Sequence, residues 1–106
     1  MKGETVEHDE EILTLPAARP EFINLSEAEV RKVIDEDPWQ CNPITGEVTR
    51  LVVQCMTKFK AHFGQPGYVP PRILRIEARC PIEKVAVLLV VRFMEAEAGL
   101  GLVTVQ

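Results

Sequence analysis

The side chains best suited to chemistry in this 106-residue chain are two histidines, His8 and His62, and three cysteines, Cys41, Cys55 and Cys80. Cys55 and His62 stand seven residues apart, which on a helix places them on nearly the same face. Two helical turns separate them by about 10 Å along the axis, too far for one metal ion or a direct thiolate–imidazole pair. His62 near a helix C-terminus is better read as a dipole partner. His8 lies in a polar, acidic stretch that offers nothing to hold a reacting geometry. The chain has no H-E-x-x-H and no C-x-x-C. Gly99-Leu100-Gly101 lacks the third glycine and the following helix of a dinucleotide fingerprint. Asp35-Glu36-Asp37 are consecutive, so on a helix they point in different directions, as expected of a solvated helix end rather than a cation site. The sequence thus offers no catalytic, cofactor or metal site, and a non-enzymatic protein without cofactor is the expectation. A small enzyme or ligand-binding domain using Cys55, His62 or Cys80 in a cleft is the alternative.

The basic residues form a second group. Lys58 and Lys60 come from one segment and Arg72, Arg75 and Arg79 from another. If Arg75 and Arg79 share the polar face of a strand, they make a candidate phosphate-binding patch and the chain a nucleic-acid-binding accessory protein. Glu77 interrupts that stripe, and one tryptophan and one tyrosine are few aromatics for base stacking. Nucleic acid is therefore a possible partner but not the favoured one. The net charge of −4 points the same way. Residues 1–40 hold eleven acids against four bases, and residues 41–106 five against eight. An acidic N-terminal segment in front of a mildly basic body follows.

An odd cysteine count in no paired spacing suits free thiols in a reducing compartment. Residues 1–12 show no basic-then-apolar pattern, and the apolar run Val85–Met94 is too short to cross a bilayer as a helix. A cytoplasmic protein without a membrane span is expected.

The elements that must position these residues read as follows. Met1 to Glu11 is expected to be a mobile acidic tail, and residues 12–106 a single α+β domain. Ile12–Leu15 suits a short edge strand that Pro16 and Pro20 terminate. Ser26 and Glu29 form a capping box, with Leu25 and Val30 as its hydrophobic staple, so a helix is predicted over about 26–37. Pro38 closes it, and a stiff loop carrying Trp39 follows. Val48, Leu51, Val52, Cys55, Phe59 and Phe63 keep a 3.6-residue period, predicting a second helix over about 46–63 that Gly64 ends. Leu74, Ile76, Ala78 and Cys80 alternate with Arg75, Glu77 and Arg79, which predicts a half-buried strand over about 72–80.

The next segment carries opposed signals. Pro81 with Glu83 resembles a helix start, and Met94 to Gly99 a helix end. Val85, Val87, Val90 and Val91 are β-branched, and Pro81 also suits a tight turn. We read a hairpin, with strands over about 72–80 and 84–95 and a last strand over about 102–105. The resulting fold class is α+β, two N-terminal helices packed on a small, mainly antiparallel C-terminal sheet. As a strand, Val85, Val87, Leu89, Val91 and Phe93 would line one face while the other face is also apolar, and two helices can cover only one side. Those five residues, with Trp39 as an aromatic anchor, are the candidate interface. The function expected is a small interaction or regulatory module, acting as a homodimer or with another protein through that apolar sheet face.

Overall fold

A computed structural model describes residues 10–69, 71, 73–98 and 103–105, the side chains of 95–98 and 103–105 excepted. Arg72, Gly99, Gly101 and the first nine residues of the expected tail lie outside the described residues, while Glu10 and Glu11 open the first strand. In chain order the elements are β1 (Glu10–Thr14), a 3-10 turn (Pro20–Phe22), α1 (Glu27–Glu36), α2 (Pro43–Phe63), β2 (Ile73–Glu77), α3 (Pro81–Ala98) and β3 (Val103–Val105).

α1 begins where its sequence says it must. The Ser26 hydroxyl accepts the Glu29 N–H at 3.1 Å, and the Glu29 carboxylate accepts the Ser26 N–H at 3.0 Å. α2 starts about three residues earlier than its apolar period suggests. Pro43 takes the first helical position, where it has no N–H to lose, and the Asn42 side chain caps it by accepting the Ile44 N–H at 2.9 Å. Gly64 ends α2 by close approach: a Cβ there would stand 2.9 Å from the Lys60 carbonyl oxygen. Gly67, at φ 80°, makes the left-handed turn that follows.

The sheet differs from the expected one in direction and membership. It has three parallel strands in the order β1-β2-β3, with Glu10 opposite Ile73 and Leu74 opposite Val103. The antiparallel hairpin is absent because residues 81–98 form helix α3. Pro81 occupies its first turn, the Cys80 carbonyl accepts the Lys84 N–H at 3.0 Å, and the Glu83 carboxylate reaches back to the Arg79 N–H at 2.9 Å. Buried Ile82, Val85, Ala86, Val90 and Met94 follow the helical period. The β preference of the valines is worth tenths of a kcal/mol each, on a scale of about 1 kcal/mol, and burial against neighbours on several sides outweighs it. α3 also supplies the crossover that a parallel β2–β3 pair requires.

Crossovers of the usual right hand that step the same way along a parallel sheet put their helices on one face. Core membership agrees. Cys55 and Phe59 of α2 and Val87, Val90 and Met94 of α3 pack on Leu13, Leu15, Leu74 and Ile76. A second cluster joins the N-terminal halves of α2 and α3 to α1, through Val30, Val48, Leu51, Ile82, Val85 and Ala86. The far face of the sheet keeps Ile12 and Ile73 exposed.

Candidate functional site

The residues with chemical potential are dispersed. Cys55 is sealed in the sheet core, and burial pushes its thiol up to about 12. Cys80 belongs to the helical core, with its thiol also raised by burial, and Cys41 is exposed. His62 does not face Cys55. Its Nε2 contacts the Glu11 carboxylate, whose other oxygen accepts the Tyr68 hydroxyl at 3.0 Å. Burial, and then the hydrogen bond to Glu11, raise Tyr68 to about 12, so this phenol stays protonated. The trio ties the start of β1 to the end of α2. Among the described residues no group of three or more His, Cys, Asp or Glu side chains is placed to hold a metal ion.

The ionic groups that are most buried were not singled out by sequence. Glu47 and Glu83 are almost wholly enclosed, and each serves the extended segment Leu15–Arg19. Glu83 accepts the Ala18 N–H at 2.9 Å, and Glu47 accepts the Arg19 N–H at 2.8 Å. Their partners complete the hold: Arg50 donates to Glu47 and, at 3.2 Å, to the Ala17 carbonyl, while Arg79 donates to Glu83 and to the Leu15 carbonyl. The Arg50 hydrogen bond is the main cause that holds the Glu47 carboxyl below its ordinary value, against the opposing effect of burial. The sequence signals for these pairs are Glu47 and Arg50 at i,i+3 and Arg79 and Glu83 at i,i+4. Such spacings are common on exposed helix faces, so burial had no signature.

Among the described residues, the four basic side chains Lys58, Lys60, Arg75 and Arg79 do not form one free patch. Lys58 donates to the Thr14 carbonyl at 2.7 Å, Arg75 pairs with Glu10 at 2.8 Å, and Arg79 is engaged as above. Lys60 is exposed, and Arg72 lies outside the described residues.

The candidate interface residues separate by helical position. Val85 and Val87 are interior and Val91 is half-buried, whereas Leu89 and Phe93 are 41 % and 45 % exposed one turn apart on α3. On α2, Val53 is exposed, while Val52 and Met56 are half-buried and pack against the core. Trp39 is 84 % exposed. Its loop is held by its own Asp37, whose carboxylate accepts the Cys41 N–H at 3.0 Å and the Asn42 N–H at 2.7 Å. Those backbone bonds, Asn42 first, hold the Asp37 carboxyl below its ordinary value. Gln40 has φ 58°, a left-handed conformation that costs a non-glycine residue about 1 kcal/mol.

Beside this loop opens an apolar hollow of about 280 Å³. Ile34 of α1, Thr45, Val48, Thr49 and Val52 of α2 and Leu89 of α3 line it, with Gln40. Thr45 is only 6 % exposed, and its hydroxyl oxygen has no hydrogen-bond partner among the described residues. The Asp37 carboxylate is close enough for that hydroxyl to be a minor cause of its lowered value. A second hollow of about 440 Å³ lies by Val33, Glu36, Asp37, Cys41, Asn42 and Pro43, but the Asp37 oxygens there are already taken by backbone N–H groups. Among the described residues no helix is long and apolar enough to cross a membrane. No family model, no curated protein and no solved structure matches this chain.

Proposed function

We propose that this chain is a non-catalytic protein-interaction module that works as a homodimer. Its contact surface is the outer face of the α2–α3 layer and the adjoining Trp39 loop. The observation that carries this reading is the set Trp39, Val53, Leu89 and Phe93, large apolar side chains left exposed on the loop, α2 and α3, with Leu89 in the lining of the hollow and Trp39 next to Gln40, which also lines it. This relocates the contact surface from the expected sheet face to a helical one. The far face of the sheet is the weaker candidate. Three short strands 4.8 Å apart offer about 250 Å², against about 800 Å² per partner in a standard interface. Two helices about 30 Å long, packed about 10 Å apart, offer about 600 Å² before the loop is added.

A second copy is favoured over an unrelated partner by the charges at the ends of this face. Exposed Asp35 and Glu36 follow Ile34, which lines the hollow, and exposed Arg92 lies one helical turn after Leu89, which also lines it. A two-fold pairing that runs the faces antiparallel sets each acidic end against a basic one. Sedimentation velocity from about 1 to about 100 µM tests the proposal, a range that covers weak to moderate self-association. A concentration-dependent dimer is expected, with Leu89→Glu shifting the chain to monomer. A monomer at every concentration overturns it.

A further inference from the structure

We infer that Trp39 is a reciprocal anchor: in the pair of chains, the indole of each copy fills the hollow lined by Ile34, Val48, Val52, Leu89 and Thr45 of the other. This deepens the homodimer reading and rests on it. The physical grounds are four. Trp39 is the sole tryptophan and the most exposed of the large apolar side chains, an expensive position unless something covers it. Its loop is not slack: Pro38 restricts the residue before it, Asp37 binds two backbone N–H groups, and Gln40 is held left-handed, so the indole is presented at little further entropic cost.

The hollow also suits a side chain better than a cofactor. At about 280 Å³ it falls just below the roughly 300–1,000 Å³ of small-molecule pockets. Its lining is mainly apolar, as the body of an indole requires.

Finally, the geometry is self-complementary. Gln40 lines the hollow and Trp39 precedes it, so anchor and socket are neighbours on one chain. Neighbouring anchor and socket are what a two-fold axis at the mouth of the hollow needs to exchange two such side chains at once.

Because Trp39 is the only tryptophan, its fluorescence reports the site directly. Emission maximum and acrylamide quenching are followed against concentration beside sedimentation, for the full chain and for Trp39→Ala and Leu89→Glu. Blue-shifted, protected emission with the same midpoint as dimerisation is expected. Trp39→Ala should weaken the dimer on the order of 30-fold or more, as central tryptophan anchors do. A dimer in which Trp39 stays fully quenchable, or which Trp39→Ala leaves intact, overturns the exchange and leaves the homodimer standing. A chain that is monomeric throughout, with Trp39 exposed at all concentrations, overturns both.

Discussion

Two irregular segments of this protein are built from similar materials and held in opposite ways. Leu15–Arg19 is bounded by Pro16 and Pro20, and Asp37–Asn42 by Pro38 and Pro43. Neither can run a ladder or a helix through its prolines. The first segment has its backbone gripped by four charged side chains from α2, α3 and the turn before α3: Glu47, Arg50, Arg79 and Glu83. Its Leu15 side chain points into the sheet core. The second segment is held by bonds within itself and to the adjoining helix ends, those of Asp37 foremost, and its largest side chain stands in solvent. A segment gripped by distant elements is scaffold, because moving it would strip partners from buried charges. A segment that closes on itself leaves its side chains free for another molecule.

Substitutions can break or sharpen that contrast. The largest effect is expected from Glu47→Gln, which leaves Arg50 and the Arg19 N–H facing a weaker acceptor in an enclosed site. It should cost about 2–3 kcal/mol of stability in urea unfolding. An unchanged midpoint would mean that the segment does not depend on this carboxylate.

Acid should act through the same pair. The folded chain holds Glu47 below its ordinary value, so the unfolded chain takes up the proton more readily. The stabilisation is therefore complete above the ordinary glutamate value of about 4.3 and declines as pH falls below it. Urea midpoints of the wild type and Glu47→Gln should converge as pH falls below about 4.3. A constant gap across this range would remove Glu47 as the cause.

In the other segment the effects should be small. Gln40→Gly relieves a left-handed residue at the cost of a freer unfolded chain, and a gain of about 0.5 kcal/mol is expected. A loss in the same urea assay would show that the Gln40 side chain has a role of its own. Trp39→Ala should change stability by less than about 0.5 kcal/mol when measured dilute enough to exclude association. A larger loss would make Trp39 part of the monomer's scaffold and erase the difference between the segments.

The readable parts of this chain are those where a local rule carries its own partners. Ser26 with Glu29, the apolar period from Val48 to Phe63, and the alternation around Leu74 and Ile76 each specify an element from residues a few positions apart. Ile12–Leu15 was legible as an edge strand, and β1 is one. Of the candidate interface residues, Val85, Val87, Leu89, Val91 and Phe93 were all chosen on a strand period; on the helix that forms instead Leu89 and Phe93 are exposed and Val85 and Val87 are interior, while Trp39, chosen as an aromatic in a stiff loop, is exposed. The hollow and the unmatched Thr45 hydroxyl had no sequence signal, since they arise where three helices and a loop meet.

The sequence by itself determined where α1 is capped, where α2 ends, which face of β2 is buried and that no metal motif is written into the chain. Tertiary structure alone decided that residues 81–98 are a helix and that the strands run parallel. Valine-rich segments serve either form, and the choice between them follows from which surfaces need cover. It also decided which of many helix-spaced Glu–Arg pairs are enclosed, because burial is a property of what packs above a residue. Trp39 stands between the two. Its type and its stiff loop are given in sequence, but its place beside an apolar hollow exists only once α1, α2 and α3 have come together.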